Sequence, residues 1–239
     1  YLGGETADVG DVVRTIAVNG TMTARWPKST IISNEKIKPG NVIVGLASFG
    51  KSTYEKKENS GIGSNGLTSA RHDLLNNYYA KNFKESFEKS LSEDVVYIGK
   101  NRIADEPGLL SPTRTFAPLI KNILENNFDK IYGLIHCSGG GQTKCLKYIP
   151  EKVKVIKDNL FTPPPIFEKI REASKADSRE MYQVFNMGCR MEIYTDEDFA
   201  ENVVSLASSY NIDAQIIGRV EEAETKGLVI KLPGETLVF

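Results

Sequence analysis

The sequence predicts an α/β fold, α+β layered, in which a mixed β-sheet is covered by helices. Three observations predict it. Apolar residues at helical spacing over 116–128, 166–173 and 199–210 interleave with short apolar runs suited to buried strands at 41–48, 131–135 and 153–156. Strand-like runs crowd both ends of the chain, so the pattern is not a plain series of strand–helix–strand units. The run Ile131-Tyr132-Gly133-Leu134-Ile135 leads into His136-Cys137-Ser138-Gly139-Gly140-Gly141 and then a helical pattern over 142–149. Strand, glycine turn and helix start is an arrangement that aims backbone N–H groups at an anion.

Taken in order, residues 12–25 alternate loosely around Asn19-Gly20, a pair that favours a type I′ hairpin turn. A short strand is expected at Ile31-Ile32. Lys38-Pro39-Gly40 turns the chain into a buried strand over 41–48. Residues 51–60 carry few apolar side chains and mixed charge, which predicts a mobile surface loop. Leu67, Arg71, Leu74, Leu75 and Tyr78 repeat at helical spacing, with Ser64 or Asn65 as cap. Residues 94–99 read as a strand or a connection. Ser111 as N-cap and Pro112 at the first helical position open a helix with the stripe Phe116, Leu119, Ile120, Ile123, Leu124 and Phe128. Pro118 requires that helix either to kink or to begin there. The strand at Ile131 should be internal to the sheet, with Gly139, Gly140 and Gly141 at its carboxyl end beside a helix N-terminus. After Pro163, Pro164 and Pro165 come helical pieces at 166–173 and 181–185, then a strand through Tyr194. Thr195 with Asp198 resembles a capping box before Phe199, Val203, Leu206, Ala207 and Tyr210. Strands at 214–220, 227–232 and 236–239 close the chain, the last two joined by Pro233-Gly234.

A length of 239 residues suits one large domain or two small ones. Lys+Arg 30 against Asp+Glu 31 leaves a net charge of -1, which supports neither a nucleic-acid nor an anionic-membrane partner. A phosphorylated small molecule stays open, because it needs only a local set of donors. Cys137, Cys145 and Cys189 contain no C-x-x-C pair, so neither a disulfide framework nor a zinc site is suggested, and a reducing compartment fits. No apolar run approaches the ~20 residues of a membrane span, and no signal-peptide pattern opens the chain; the expectation is cytoplasmic.

His136 leads the candidate residues, since an imidazole at a strand end beside a glycine turn can move a proton near neutral pH. Its plainer role would be structural. Gly139, Gly140 and Gly141 allow close approach of backbone to a ligand, or merely a sharp turn. Ser64, Asn65 and Gly66 precede a helix and can hold a phosphate or an amide, or simply cap it. Thr113 and Arg114 can bind phosphate, or cap a helix and form an ion pair. Asn186 and Gly188 can line a substrate pocket or make a tight turn. Glu5 and Asp8 can reach a metal or the substrate, or be solvated turn acids. His72 is expected to be an ordinary helix residue, and Cys137 and Cys145 small buried ones.

Five segments together carry a resemblance: Gly3-Gly4-Glu5-Thr6-Ala7-Asp8, Ser64-Asn65-Gly66-Leu67-Thr68-Ser69-Ala70-Arg71, Leu110-Ser111-Pro112-Thr113-Arg114, His136-Cys137-Ser138-Gly139-Gly140-Gly141 and Met181-Tyr182-Gln183-Val184-Phe185-Asn186-Met187-Gly188. In order and rough spacing they resemble the phosphoribosylformylglycinamidine cyclo-ligase (aminoimidazole ribonucleotide synthetase) family. The resemblance implies a C-terminal domain of that superfamily over 36–239, with 1–35 as the tail of an N-terminal domain that binds nucleotide and dimerises. It implies ATP and Mg2+, a phosphorylated small substrate and a homodimer. In the family, ATP activates the formyl amide oxygen of formylglycinamidine ribonucleotide, a nitrogen attacks, and the imidazole ring closes with loss of ADP and phosphate. The family's Asp-Gly-Val-Gly nucleotide motif is not in this sequence, so the chain alone is not expected to turn over ATP. Gly63 stands where the family usually has histidine before Ser-Asn-Gly. Two other readings remain: another ATP-dependent small-molecule enzyme of the superfamily, or a non-catalytic fragment or binding module lacking the nucleotide half.

Overall fold

The computed structural model describes residues 20–74, 108–109 and 111–239. The expected turn at Asn19-Gly20, the 94–99 segment, Glu5 and Asp8 lie wholly or partly outside these residues.

The strands are β1 (Val42–Ala47), β2 (Phe49–Gly50), β3 (Asn59–Ser60), β4 (Ile131–His136), β5 (Val153–Lys157), β6 (Cys189–Thr195), β7 (Ala214–Glu222), β8 (Gly227–Leu232) and β9 (Glu235–Val238). Seven form one sheet in the order β4-β6-β1-β7-β5-β8-β9, while β2 and β3 make a separate two-stranded ribbon. Only β5 and β8 pair in parallel within that sheet, so it is mixed, as expected. The helices are α1 (Leu67–Leu74), α2 (Ala117–Asn127), α3 (Pro165–Ser174), α4 (Ser178–Val184) and α5 (Glu197–Ser209).

Both faces of the sheet are covered. Val44, Leu46 and Ile193 pack with Leu119 and Ile123 of α2 and with Ala200 and Val203 of α5. Ile43, Ala47, Val155 and Ile217 face the other way, towards Ala70 of α1, Phe167 and Ile170 of α3 and Met181 of α4. That explains the nearly unbroken burial along β1: a central strand covered on both sides needs apolar residues at successive positions.

Several local expectations are corrected. β4 is an edge strand, not an internal one. Its open edge is met by Asn34, whose Oδ1 accepts from Leu134 N–H at 3.0 Å and whose Nδ2 donates to Leu134 O at 3.4 Å. One side-chain amide thus stands in for a neighbouring strand. Residues 31–33 form no strand, and 3-10 turns occupy Lys28–Thr30 and Asn34–Lys36 around them. Ser111 and Pro112 do not open a helix. α2 begins at Ala117 with Pro118 in its first turn, where the missing N–H has no helical partner to lose. The capping box at Thr195 and Asp198 is not formed: Asp196 is the N-cap residue, and its carboxylate instead accepts from Tyr132 Oη at 2.6 Å and Asn41 Nδ2 at 3.1 Å. The helical pattern at 142–149 is a 3-10 helix over Gly141–Lys147.

Residues 51–60 carry more tertiary contacts than their composition suggests. The segment is exposed at several positions and tied at others. Thr53 N–H donates to Tyr210 O at 2.9 Å, Tyr54 Oη to Thr115 O at 2.6 Å, and Asn59 Nδ2 to Pro112 O at 2.9 Å. Arg114 pairs with Glu55 at 2.7 Å. Polar partners, rather than apolar burial, order this stretch, and composition does not register them.

Candidate functional site

The site lies where three turns converge near the carboxyl end of β4. The first is the glycine turn. Ser138 O accepts from Gly141 N–H at 2.9 Å, and Gly140 (φ 99°) and Gly141 (φ 49°) lead into the 3-10 helix. A Cβ on Gly141 would lie 2.4 Å from Phe185 O and 2.7 Å from Tyr182 O, so only glycine lets this turn press on the end of α4. The glycines therefore stand at the carboxyl end of β4 beside a helix start, as expected.

The second turn is Ser64-Asn65-Gly66. Asn65 Oδ1 lies 3.4 Å from the position of a Cβ on Gly139, and Asn65 Nδ2 donates to Val184 O. A Cβ on Gly66 (φ 73°) would meet the Phe185 ring at 2.4 Å. Thr113 supplies the third: its Oγ1 accepts from Ser64 N–H at 2.9 Å and donates to Ser64 Oγ at 3.2 Å. Three segments far apart in sequence thus meet through Ser64, Asn65, Thr113 and Gly139.

His136 ends β4 with its side chain exposed. Desolvation, then the positive charges of Arg190 and Lys144, push its pKa below the ordinary histidine value, so the imidazole is mostly neutral at pH 7. Lys144 Nζ donates to Ser138 Oγ at 3.2 Å. A neutral imidazole can accept a proton or donate its one N–H.

Other expected residues are committed to the scaffold. Arg114 has all five N–H groups engaged: Nε and Nη2 reach Glu55 at 2.9 and 2.7 Å, Nη1 reaches Ala47 O and Phe49 O at 3.0 and 2.6 Å, and Nη2 also reaches Gly50 O at 2.7 Å. No donor remains for a phosphate. Asn186 is 2% exposed. Its Oδ1 accepts from Ser48 Oγ at 2.8 Å and Gly188 N–H at 2.9 Å, and its Nδ2 donates to Gly61 O at 2.9 Å. Asn186 and Gly188 (φ 97°) therefore fasten the strip before Ser64 to the turn before β6.

Four residues that sequence reasoning passed over hold the site in place. Gln142 is fully buried, and its Nε2 donates to Asn186 O at 2.6 Å and Cys189 O at 2.8 Å. Lys157 Nζ donates to Gln142 O at 2.7 Å and to Oε1 at 3.0 Å, and pairs with Glu192. Glu192 Oε2 accepts from Tyr194 Oη at 2.8 Å, and its Oε1 from the Cys137 thiol at 3.2 Å. Burial works against the Lys157 ammonium, but neighbouring Cys145 and Glu192 hold its pKa above the ordinary lysine value; burial and then Glu192 push the Tyr194 phenol well up. Arg190, the fourth, is 1% exposed and donates to Ile62 O at 2.6 Å. The signal was there: polar residues at 190, 192 and 194 of an otherwise apolar strand look like a solvent face but lie inside. Gly63 lies directly against this guanidinium, since a Cβ there would sit 2.0 Å from its Nη2.

A cavity of about 750 Å³, lined by Phe49, Asn59, Ser60, Phe161 and Pro164 among others, includes none of these site residues in its wall. Gly188 backs this wall, since a Cβ there would be 2.9 Å from Pro164 and 3.4 Å from Phe49.

Fold and site define a layered α+β domain whose polar turns are set on one buried hydrogen-bonded network. The chain belongs to the family described as AIR synthase related protein, C-terminal domain, which matches residues 38–231. It is 36% identical over 222 residues to phosphoribosylformylglycinamidine cyclo-ligase of Methanocaldococcus jannaschii, covering 93% of this chain and 56% of that protein. It is 35% identical to the protein of that name from Methanococcus vannielii, covering 92% and 56%, and 36% identical to that of Methanopyrus kandleri, covering 85% and 50%. The chain thus spans about half the length of the curated relatives it matches. Among the described residues no helix is long and apolar enough to cross a membrane.

Proposed function

We propose that this chain forms the C-terminal part of an ATP-dependent cyclo-ligase that closes the imidazole ring of formylglycinamidine ribonucleotide, giving aminoimidazole ribonucleotide in purine biosynthesis. The observation that carries the proposal is the likeness to relatives of that name over 93% of this chain. The convergence of Ser64, Asn65, Thr113 and Gly139 supports it, because these come from the same segments that carry the family resemblance. In this reading residues 36–239 are the substrate-holding domain, and 1–35 belong to a nucleotide-binding, dimerising domain of a cytoplasmic homodimer.

ATP, when bound, supplies the phosphoryl group that makes the formyl oxygen a leaving group. The residues here do the rest of the work at the reacting centre. Neutral His136 takes a proton from the attacking nitrogen as the ring closes. Ser64, Asn65 and the backbone of the glycine turn orient the substrate, with Thr113 fixing the Ser64 turn. Among the described residues no group of three or more His, Cys, Asp or Glu could hold a metal, so Mg2+ is assigned no ligand in them.

The test is turnover by the complete protein. Release of ADP that depends on formylglycinamidine ribonucleotide, with formation of aminoimidazole ribonucleotide, is expected. ADP release that ignores this substrate but follows another small molecule would move the protein to a different activity of the superfamily.

A further inference from the structure

Among the described residues, the buried side-chain polar atoms without a hydrogen-bond partner are Ser52 Oγ and Arg190 Nη1. The second is the more costly, because a buried cation needs both a partner charge and a full set of acceptors. The other buried cations have them: Arg114 pairs with Glu55 and Lys157 with Glu192. Arg190 has neither. It is 1% exposed, and its recorded bonds run from Nη2 to Ile62 O at 2.6 Å and Gly61 O at 3.5 Å, with no carboxylate among the described residues beside it.

The side chain is also aimed. Leu46 pairs with Met191 and Ala47 with Cys189, which leaves Arg190 as the extra residue of a β-bulge. A bulge re-aims a side chain out of the strand's alternation and is common beside functional sites. Here it turns the guanidinium under the Gly63 turn: a Cβ on Gly63 would lie 2.8 Å from Nη1 and 2.5 Å from Cζ. Gly63 (φ 62°) has no side chain to come between its own backbone and the guanidinium. On the β4 side, Arg190 and Lys144 act electrostatically on His136. Two cations, one of them carrying the unpaired donor, thus act on one exposed imidazole, and among the described residues no anion is among the groups acting on it.

We propose that Arg190 is the oxyanion-binding residue of this site: Nη1 takes an oxygen of a phosphate-class ligand that enters beside the Gly63 turn. The inference deepens the reading above by naming the group that holds a phosphate of the substrate or the phosphoryl group released in the reaction. Guanidinium is suited to the task, since its fork matches phosphate oxygens and it stays charged at every relevant pH. A bound dianion next to His136 cancels part of the positive field there, so binding raises the imidazole pKa. Among the described residues, the charged groups acting on that imidazole are Arg190 from β6 and Lys144 from the 3-10 helix.

The test needs no turnover, so its failure and a failure of the ring-closing assignment are separable. His72 and His136 are the only histidines of the 239-residue chain, and His72→Gln leaves one imidazole to follow by NMR. The His136 pKa is measured with inorganic phosphate, with ribose 5-phosphate and with chloride at matched ionic strength. Both phosphate probes should raise it and chloride should not. A tighter response to ribose 5-phosphate assigns the site to the substrate's phosphate ester, and a tighter response to inorganic phosphate to the transferred phosphoryl. Arg190→Met should start from a higher His136 pKa and lose the response. Should Arg190→Met not fold, Arg190→Lys keeps the charge on a single donor and should bind phosphate about tenfold more weakly. No response to either phosphate probe overturns the proposal. So does an unchanged response in Arg190→Met, or wild-type affinity in Arg190→Lys.

Discussion

At neutral pH His136 presents an uncharged, exposed imidazole next to two cations. Its side chain has no recorded hydrogen bond among the described residues, so losing it should leave the fold nearly intact. In the complete enzyme, His136→Ala should lower kcat by about 10²–10⁴-fold, the usual worth of a positioned acid or base, with a smaller change in KM. Steady-state kinetics with a thermal melt as control decide the matter: wild-type kcat/KM with a melt many degrees lower would make the histidine structural. The same scale shows what residue identity conceals. Arg114 sits in a motif and has no donor to spare, whereas Arg190 sits in no quoted motif and has one unmet. Both are arginines in an apolar setting. Only the count of acceptors around each guanidinium tells them apart, and that count depends on carbonyls remote in sequence.

Elements fixed by their own periodicity were legible. β1, α3 and α5 stand within a few residues of the positions their apolar patterns predict, because each needs only to bury a stripe or a face. Elements that depend on a distant partner were not. β4 is at the sheet edge with Asn34 covering it, and no local pattern reveals that. Residues 51–60 are held by Arg114, over fifty positions away in the chain. Burial alone would raise the Glu55 pKa, but hydrogen bonds from Arg114 and Ser52, with the Arg114 charge, outweigh it and hold the carboxyl below its ordinary value. The sign follows: this pair contributes stability above the unfolded glutamate pKa of about 4.3, and the contribution is lost as pH falls through the lower folded value. Glu55→Gln should cost about 2 kcal/mol at pH 7, less than the 3–5 typical of a fully buried pair, because the Glu55 side chain keeps 16% exposure. It should also flatten the acid limb. Hydrogen exchange of residues 51–60 between pH 3 and 7 checks both. Equal protection in the variant and the wild type would return this segment to the composition-based expectation.

For the molecule as a whole, the two layers are not equivalent. The face bearing α2 and α5 is apolar and ordinary, whereas the face under the site carries the buried chain Gln142, Lys157, Glu192 and Tyr194. Lys157 is on β5 and Glu192 on β6, with β1 and β7 between them in the sheet. Their side chains nevertheless pair, and Gly45, the β1 partner of Glu192, has no room for a side chain, since a Cβ there would collide with Ile217 at 2.6 Å and Cys189 at 2.8 Å. The pair thus bridges strands that do not touch and pins Gln142, hence the glycine turn, to the sheet centre. Replacing such a pair by apolar residues is often tolerated, but removing one partner strands the other charge. Lys157→Met should therefore lower the unfolding free energy by about 3–5 kcal/mol. Lys157→Met with Glu192→Leu should lose less than that single change, because no uncompensated carboxylate is left. Urea denaturation of the two singles and the double gives the coupling directly. A network that serves the site as well as the fold makes one further demand. The double variant, though refolded and stable, should still bind phosphate more weakly than wild type, since Gln142 has lost the lysine that holds its helix under the glycine turn. Full stability together with wild-type phosphate affinity in the double variant would show that the glycine turn holds its shape without the charge pair beneath it.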